Sequence, residues 1–323
     1  MIRTEERTEK LRERVRALLS EGAIKFFIGY ELGSDPLHVT PCFAEDEKGV
    51  ETLVWNPMCI NNLATYLKRY SDQRIGILVK GCDSRSIIEL LKFNQIKREN
   101  LHIIGVPCTG VLDLKKVADK CDPRHIKAVN EEGGKIVITG TKTLEIDKDE
   151  LLLDKCRSCA YPNPLIFDEL VGDEVKAGTV DPEKRFADVA EMEELDPKDR
   201  SAFWKKQLNK CIRCYACKNV CPMCFCNECT LEKNDPVWVK KYPNPGDTFT
   251  FHMIRIYHVV GRCTGCLECE RVCPMNIPLG TIHKKIEKDC LELFGYEAGV
   301  DLEAIPPLST FEEEDPTHEG LLR

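Results

Sequence analysis

Residues 211–222 read Cys211-Ile-Arg-Cys214-Tyr-Ala-Cys217-Lys-Asn-Val-Cys221-Pro222. Residues 263–274 repeat the pattern as Cys263-Thr-Gly-Cys266-Leu-Glu-Cys269-Glu-Arg-Val-Cys273-Pro274. Both are C-x2-C-x2-C-x3-C-P, the doubled spacing that holds a pair of [4Fe-4S] cubanes. Three thiolates at steps of three wrap one cubane, while the turn before proline carries the fourth sulfur to the neighbouring cluster. The spacing therefore predicts cluster one on Cys211, Cys214, Cys217 and Cys273, and cluster two on Cys263, Cys266, Cys269 and Cys221. Structural zinc also takes four thiolates, but usually from paired two-cysteine knuckles rather than two complete four-cysteine runs.

Working outward, this spacing defines an α+β two-cluster bacterial-type ferredoxin domain over residues 201–295, with residues 222–262 inserted between the motifs. Such an excursion costs little, because closure entropy rises slowly with loop length. Within it, TFTFHMIRIYHVV (Thr248 to Val260) reads as a packing helix leading into Cys263. His252 and His258 lie six apart and do not share a helical face, so they read as polar residues of a packed or partner-facing helix rather than as metal ligands. Charge placement predicts the higher potential for cluster one: Lys210, Arg213 and Lys218 favour its reduced form. Glu268 and Glu270 flank cluster two, only partly offset by Arg262 and Arg271.

The chain has 323 residues, enough for about two domains. Its 42% apolar content supports a buried core, and 46 Lys+Arg against 54 Asp+Glu give a net charge of −8. An acidic chain with no basic cluster has little attraction for nucleic acid or anionic lipid. The first residues, MIRTEERTEKLRERVRALL, lack the apolar core of a secretory signal, and no apolar run approaches the roughly 20 residues of a membrane span. The expectation is a cytoplasmic chain without a membrane span. Nineteen cysteines in a reducing compartment point to metal ligation or redox chemistry before disulfides.

Residues 1–155 read as an α/β domain built on a parallel sheet. After an amphipathic helix over residues 4–20, stopped at Gly22, RIGILVKGCDSRSIIELLKF reads as a strand, a turn at Gly81-Cys82-Asp83-Ser84, and a helix. LHIIGVPCTGVLDLKKVADK repeats that design with its turn at Pro107 to Gly110. Ligands of parallel sheets bind at the carboxyl ends of strands, where Cys82 and Cys108 both fall, and Cys156-Arg-Ser-Cys159 follows. These four read as the ligands of a third cluster, against the plainer reading of small buried thiols; Cys121 is a reserve ligand. Gly81, Asp83 and Ser84 open a helix whose free N–H groups suit an anion or flavin phosphate, or simply an N-cap. Gly133 to Gly140 reads as a further strand. Residues 156–200 form the knuckle and linker, and residues 296–323 an acidic tail.

Cys224, Cys226 and Cys229 crowd directly behind Cys221-Pro222 as further candidate ligands, for another cluster or a metal, or as thiols lying against the existing cubane. Cys42, Cys59 and Cys290 read as isolated buried thiols. His38, His102 and His125 read as solvated or satisfied, and no nucleophile–base pair emerges from spacing.

The stretch CIRCYACKNVCPMCFCNEC, with GCDSRSIIELL, GVPC and the CRSC knuckle, resembles the beta-subunit family of deazaflavin (coenzyme F420)-dependent hydrogenases and formate dehydrogenases. FHMIRIYHVVGRCTGCLECERVCPMNIPL is similar to iron–sulfur subunits associated with heterodisulfide reductase-like and sulfite reductase complexes. The resemblance implies an electron-transfer subunit of an anaerobic multisubunit oxidoreductase. Its partners would be a flavoprotein, a hydrogenase or formate dehydrogenase, or a heterodisulfide reductase-like subunit. In flavin-bearing members a glycine-rich segment near the N-terminus helps hold FAD; here the region reads GAIKFFIGYELGSDPLHV, without clustered glycines. The alternative the resemblance leaves open is a FAD-containing beta subunit that itself oxidises or reduces a deazaflavin or nicotinamide.

Overall fold

The computed structural model describes residues 4–176 and 182–310; the sequence reading of FEEEDPTHEGLLR as an acidic tail falls on residues outside that range. The chain divides into two compact units. The first takes Met1–Ser84 and Ile96–Val180, the second Arg85–Gln95 and Asp181–Arg323. The helix Gly81–Lys92 thus contributes its first turn to one unit and its body to the other.

The first unit is organised around two central strands of continuous apolar sequence, IGILV and LHIIG. β1 (Phe27–Leu32), β2 (Val39–Ala44), β3 (Ile75–Val79) and β4 (Leu101–Gly105) are followed by an antiparallel trio, β5 (Ala128–Glu132), β6 (Lys135–Thr139) and β7 (Thr143–Asp147), and by the two-residue β8 (Glu169–Leu170). The larger sheet has the order β2-β1-β3-β4-β8 and is parallel except where β2 pairs antiparallel with β1. All five residues of β3 (IGILV) are buried, as a central strand covered on both faces requires. Along the N-terminal helix Thr4–Ser20, Leu11, Val15 and Leu18 are buried at helical spacing, and Gly22 follows at φ +66°, the left-handed stop that glycine adopts without penalty.

One local reading of the sequence is corrected, and two are extended. The residues Gly81-Cys82-Asp83-Ser84 form no turn: the helix begins at Gly81, one residue beyond Lys80. The Lys80 ammonium lies 2.9 Å from the Asp83 carboxylate, with both side chains buried, and this pair ties the strand end to the helix start. Second, the strand expected within 133–140 is the middle of the antiparallel β5-β6-β7 sheet; Asn130-Glu-Glu and Thr143-Leu-Glu carry too many polar residues to read as strands. Third, the linker contributes β8, which extends the main sheet beside β4.

In the second unit, the helices Pro197–Leu208, Pro245–His258 and Leu279–Phe294 surround the two cysteine motifs. The expected packing helix in the insertion is present, capped by the Asn244 side chain accepting from Asp247 N at 3.0 Å. Leu208, Phe251, Ile277 and Leu279 pack with Cys217 and Cys269 in one core. Among the described residues no helix is long and apolar enough to cross a membrane.

A Cβ at Gly81 would stand 1.8 Å from the Tyr161 carbonyl oxygen. Gly81→Ala is therefore expected to destabilise the first unit by about 3 kcal/mol through overpacking, read as a lower midpoint in denaturant titrations of the full chain.

Candidate iron–sulfur centres

The two motifs fold alike. Arg213 and Tyr215 of the first have φ of 49° and 60°; Gly265 and Leu267, at the same places in the second, have φ of 62° and 53°. A one-turn helix follows each, Ala216–Asn219 and Glu268–Arg271. Left-handed backbone at Tyr215 and Leu267 costs roughly 1–2 kcal/mol per residue and persists only where the surroundings impose it. The bend turns backbone N–H groups toward sulfur: Arg213 N donates to Cys211 Sγ at 3.3 Å, and Gly265 N to the Cys263 thiol.

Cys211, Cys214 and Cys217 line one pocket together with Cys273 from the other motif, walled by Phe251, Ile277 and Leu279. The grouping is the one the spacing implies, with the fourth sulfur crossing from the distant run. Cys263 lies within electrostatic reach of Cys266 and Cys221, and Cys269 of Cys221, so the second set also gathers across motifs. Burial raises the thiols of Cys211, Cys217 and Cys263, and that of Cys269 to about 11. Loading such thiols with metal must therefore release protons. Four soft sulfurs around an apolar-walled space suit a cubane, in which each thiolate takes a different iron.

The charges differ from the sequence expectation. Lys218 is paired with Glu232 at 2.6 Å and lines a different cavity. Glu268 is buried and held by Arg271 at 2.6 Å, so the acid expected to disfavour reduction of cluster two is already paired. The charge that sequence reading missed is Arg255, 2% exposed on the helix Pro245–His258. It donates to the Cys217 carbonyl at 3.0 Å and to His283 Nε2 at 2.9 Å. Burial alone would pull its pKa down, but the thiols of Cys269, Cys221, Cys217 and Cys224 hold it up. One buried cation thus serves both motifs. Its only signal in the sequence was an arginine inside an otherwise apolar helix.

In the first unit the expected strand-end thiols gather. Cys82 lies in the first turn of its helix and within electrostatic reach of Cys108, Cys108 of Cys156, and Cys156 of Cys159. Cys108 N donates to Pro162 O at 2.8 Å and Val111 N to Cys156 Sγ at 3.5 Å. Burial raises the thiols of Cys82, Cys108 and Cys156, while the ammonium groups of Lys80, Lys148 and Lys155 oppose that rise at one or more of them. Asp83 and Tyr30 keep Lys80 charged against its burial; Lys148 donates to Thr109 Oγ1 and Glu131 Oε1, each at 2.7 Å. Neither lysine was visible as a site residue in sequence. Cys121 ends the helix Leu114–Lys120, its thiol donating to Val117 O at 3.5 Å.

The residues expected to face a phosphate are turned inward. Asp83 and Ser84 are fully buried. Ser84 Oγ donates to Gly81 O at 2.7 Å and accepts from Leu165 N at 2.9 Å, and Gly81 is in close contact with Tyr161. The segment 22–39 is consumed by β1 and its turn.

His252 and His283 flank Arg255 in the core of the second unit. Burial first, and Arg255 second, depress His252 from 6.5 to about 4 and His283 to about 3. A folded pKa below the unfolded one means the unfolded chain takes the proton first, so stability is level above about pH 6.5 and falls as pH drops toward 4. At pH 5 each histidine is expected to cost the fold roughly 2 kcal/mol relative to pH 7.5. His252→Gln with His283→Gln should flatten that slope in denaturant titrations across pH.

Residues 207–277 match the family model of a 4Fe-4S dicluster domain. Over about nine-tenths of both chains, the protein is 27% identical to the F420-dependent formate dehydrogenase subunit beta of Methanocaldococcus jannaschii. It is likewise 27% identical to the F420-dependent formate dehydrogenase 1 subunit beta of Methanococcus maripaludis, over 90% of each. A chain of the F420-reducing [NiFe] hydrogenase complex from Methanosarcina barkeri is 14% identical with a TM-score of 0.39, covering 63% of this chain and 86% of that one; a likeness that loose carries no argument. The second unit therefore holds a 4Fe-4S dicluster domain, and the chain as a whole is similar to the beta subunits of F420-dependent formate dehydrogenases.

Proposed function

We propose that this chain is the iron–sulfur electron-transfer beta subunit of an oxidoreductase complex of the formate dehydrogenase or hydrogenase kind, relaying electrons between a catalytic or flavin-bearing subunit and another redox protein. The observation that carries the reading is the single cavity lined by Cys211, Cys214, Cys217 and Cys273 from motifs fifty residues apart in sequence. These four would hold cluster one, and Cys263, Cys266, Cys269 and Cys221 cluster two. Cys82, Cys108, Cys156 and Cys159 would hold a third cubane at the strand ends. Such clusters supply one-electron transfer; the chain supplies burial, N–H···S bonds and fixed charge that set each potential.

Cys214 and the neighbouring Ile212 are exposed, Ile212 at 53%, which makes the first motif the natural place for electrons to leave toward a partner. Arg255 favours the reduced, more negative state of both clusters. Because Lys218 is paired elsewhere and Glu268 is neutralised, the two potentials should lie closer together than side-chain charges along the sequence imply. A second reading, a beta subunit acting on F420 itself, rests on the similarity to beta subunits of F420-dependent formate dehydrogenases. A flavin absorbance band, bleached by reductant in the purified chain, would favour it.

Cys108→Ser is expected to remove about four iron atoms per chain, one cubane, while leaving the EPR signals of the ferredoxin pair; unchanged iron would exclude the strand-end cluster. Arg255→Gln should lower the midpoint potentials of both ferredoxin clusters in redox-poised EPR, and Arg255→Lys should restore part of the loss. A shift in one cluster alone would contradict the shared-charge account.

A further inference from the structure

A second thiol-lined cavity lies in the same unit. Cys224, Cys226, Cys229 and His258 line one pocket, as Cys211, Cys214, Cys217 and Cys273 line another. His258 is the last residue of the helix Pro245–His258, so this helix delivers Arg255 to the motifs and His258 to the second pocket one turn later. The three cysteines sit in an irregular loop between Cys221 and the short helical turn Thr230–Glu232.

The charge around this space is positive. Arg255 and Arg262 both line it, and Arg262 is fixed by stacking 5.1 Å from the ring centres of Phe93 and Phe225. Three thiolates around a cubane core of charge +2 leave a net charge of −1, which two buried or stacked guanidinium groups stabilise. Three cysteines and a histidine also suit zinc; the loop's place directly behind the first cluster motif, with Cys224 against Cys221, favours a redox-active cubane.

We infer that Cys224, Cys226, Cys229 and His258 bind a further [4Fe-4S] cluster, the three cysteines as thiolates and the histidine through a neutral ring nitrogen at the fourth iron. Binding releases three thiol protons to solvent, and the cluster's own electron transfer is a one-electron step. The sequence reading of His258 as an ordinary helix residue gives way because the end of its helix lies at the same cavity as the cysteines. The Cys221 and Cys224 thiols share a hydrogen bond, which raises Cys221 and lowers Cys224. Given the relay reading above, an electron on cluster two would therefore stand one sulfur–sulfur contact from this site, a branch point in the route.

The test uses the full chain purified and loaded with iron under anaerobic conditions. Cys226 is exposed, so Cys226→Ala should leave the fold intact while removing about four iron atoms per chain or leaving a three-iron cluster visible by EPR in the oxidised protein. The triple variant Cys224→Ser, Cys226→Ala, Cys229→Ser should lose the same four irons with the ferredoxin-pair signals retained. His258→Ala should abolish a strong nitrogen coupling seen by ENDOR in the unaltered chain. Unchanged iron in Cys226→Ala and in the triple variant, or a stoichiometric zinc released by them instead of iron, would overturn the proposal. So would loss of the first motif's signal along with the four irons, since that reports collapse of the unit. Failure of the relay reading is separate: it would show as an unaltered chain without iron, or as Cys214→Ser losing none.

Discussion

The second unit is organised by thiols gathered from two distant runs of sequence. A cubane takes four thiolates, and in the doubled motif the cysteine before proline serves the neighbouring cluster. The consequence is mutual bracing: Cys273 belongs to the space framed by Cys211, Cys214 and Cys217, and Cys221 to the thiols of Cys263, Cys266 and Cys269. The left-handed residues Tyr215 and Leu267 are the backbone cost of that arrangement. The apolar wall of Phe251, Ile277 and Leu279 holds the geometry and keeps water from the cluster.

Buried sulfur anions need buried cations, and the two units meet the need differently. In the second, Arg255 stands between the motifs, fixed by His283 and the Cys217 carbonyl. The two neighbouring histidines stay neutral because burial and that guanidinium both oppose their protonation. In the first, three lysines stand near the strand-end thiols, and one of them, Lys80, is itself held by Asp83 and Tyr30. Lys80 and Lys148 already have carboxylate partners in Asp83 and Glu131, so the charge they offer the strand-end thiols is partly offset, whereas Arg255 faces the thiols of both motifs directly.

The cysteine spacing made the dicluster domain legible because metal ligation imposes a rule on residue number that no other force imposes. The buried strands IGILV and LHIIG were legible from continuous apolar runs. What escaped reading was set by tertiary contact. β5 and β7 form from polar segments because β6 pairs with them. The helix after Lys80 starts without a turn because an ion pair closes the junction. Arg255 was not singled out in the sequence, and only packing makes it the inner cation. Arg271 was legible as the partner of Glu268 from its place in the same motif, but Glu232 as the partner of Lys218, fourteen residues away, was not.

The central claim, that each cluster borrows its fourth sulfur from the opposite motif, is tested most directly by comparing the EPR spectra of four reduced, iron-loaded variants of the full chain. If the ligands cross, Cys273→Ser and Cys214→Ser perturb the same cluster and leave matching residual spectra, whereas Cys221→Ser matches Cys266→Ser. If Cys273→Ser instead leaves the spectrum of Cys266→Ser, each motif holds its own cluster and the account is contradicted.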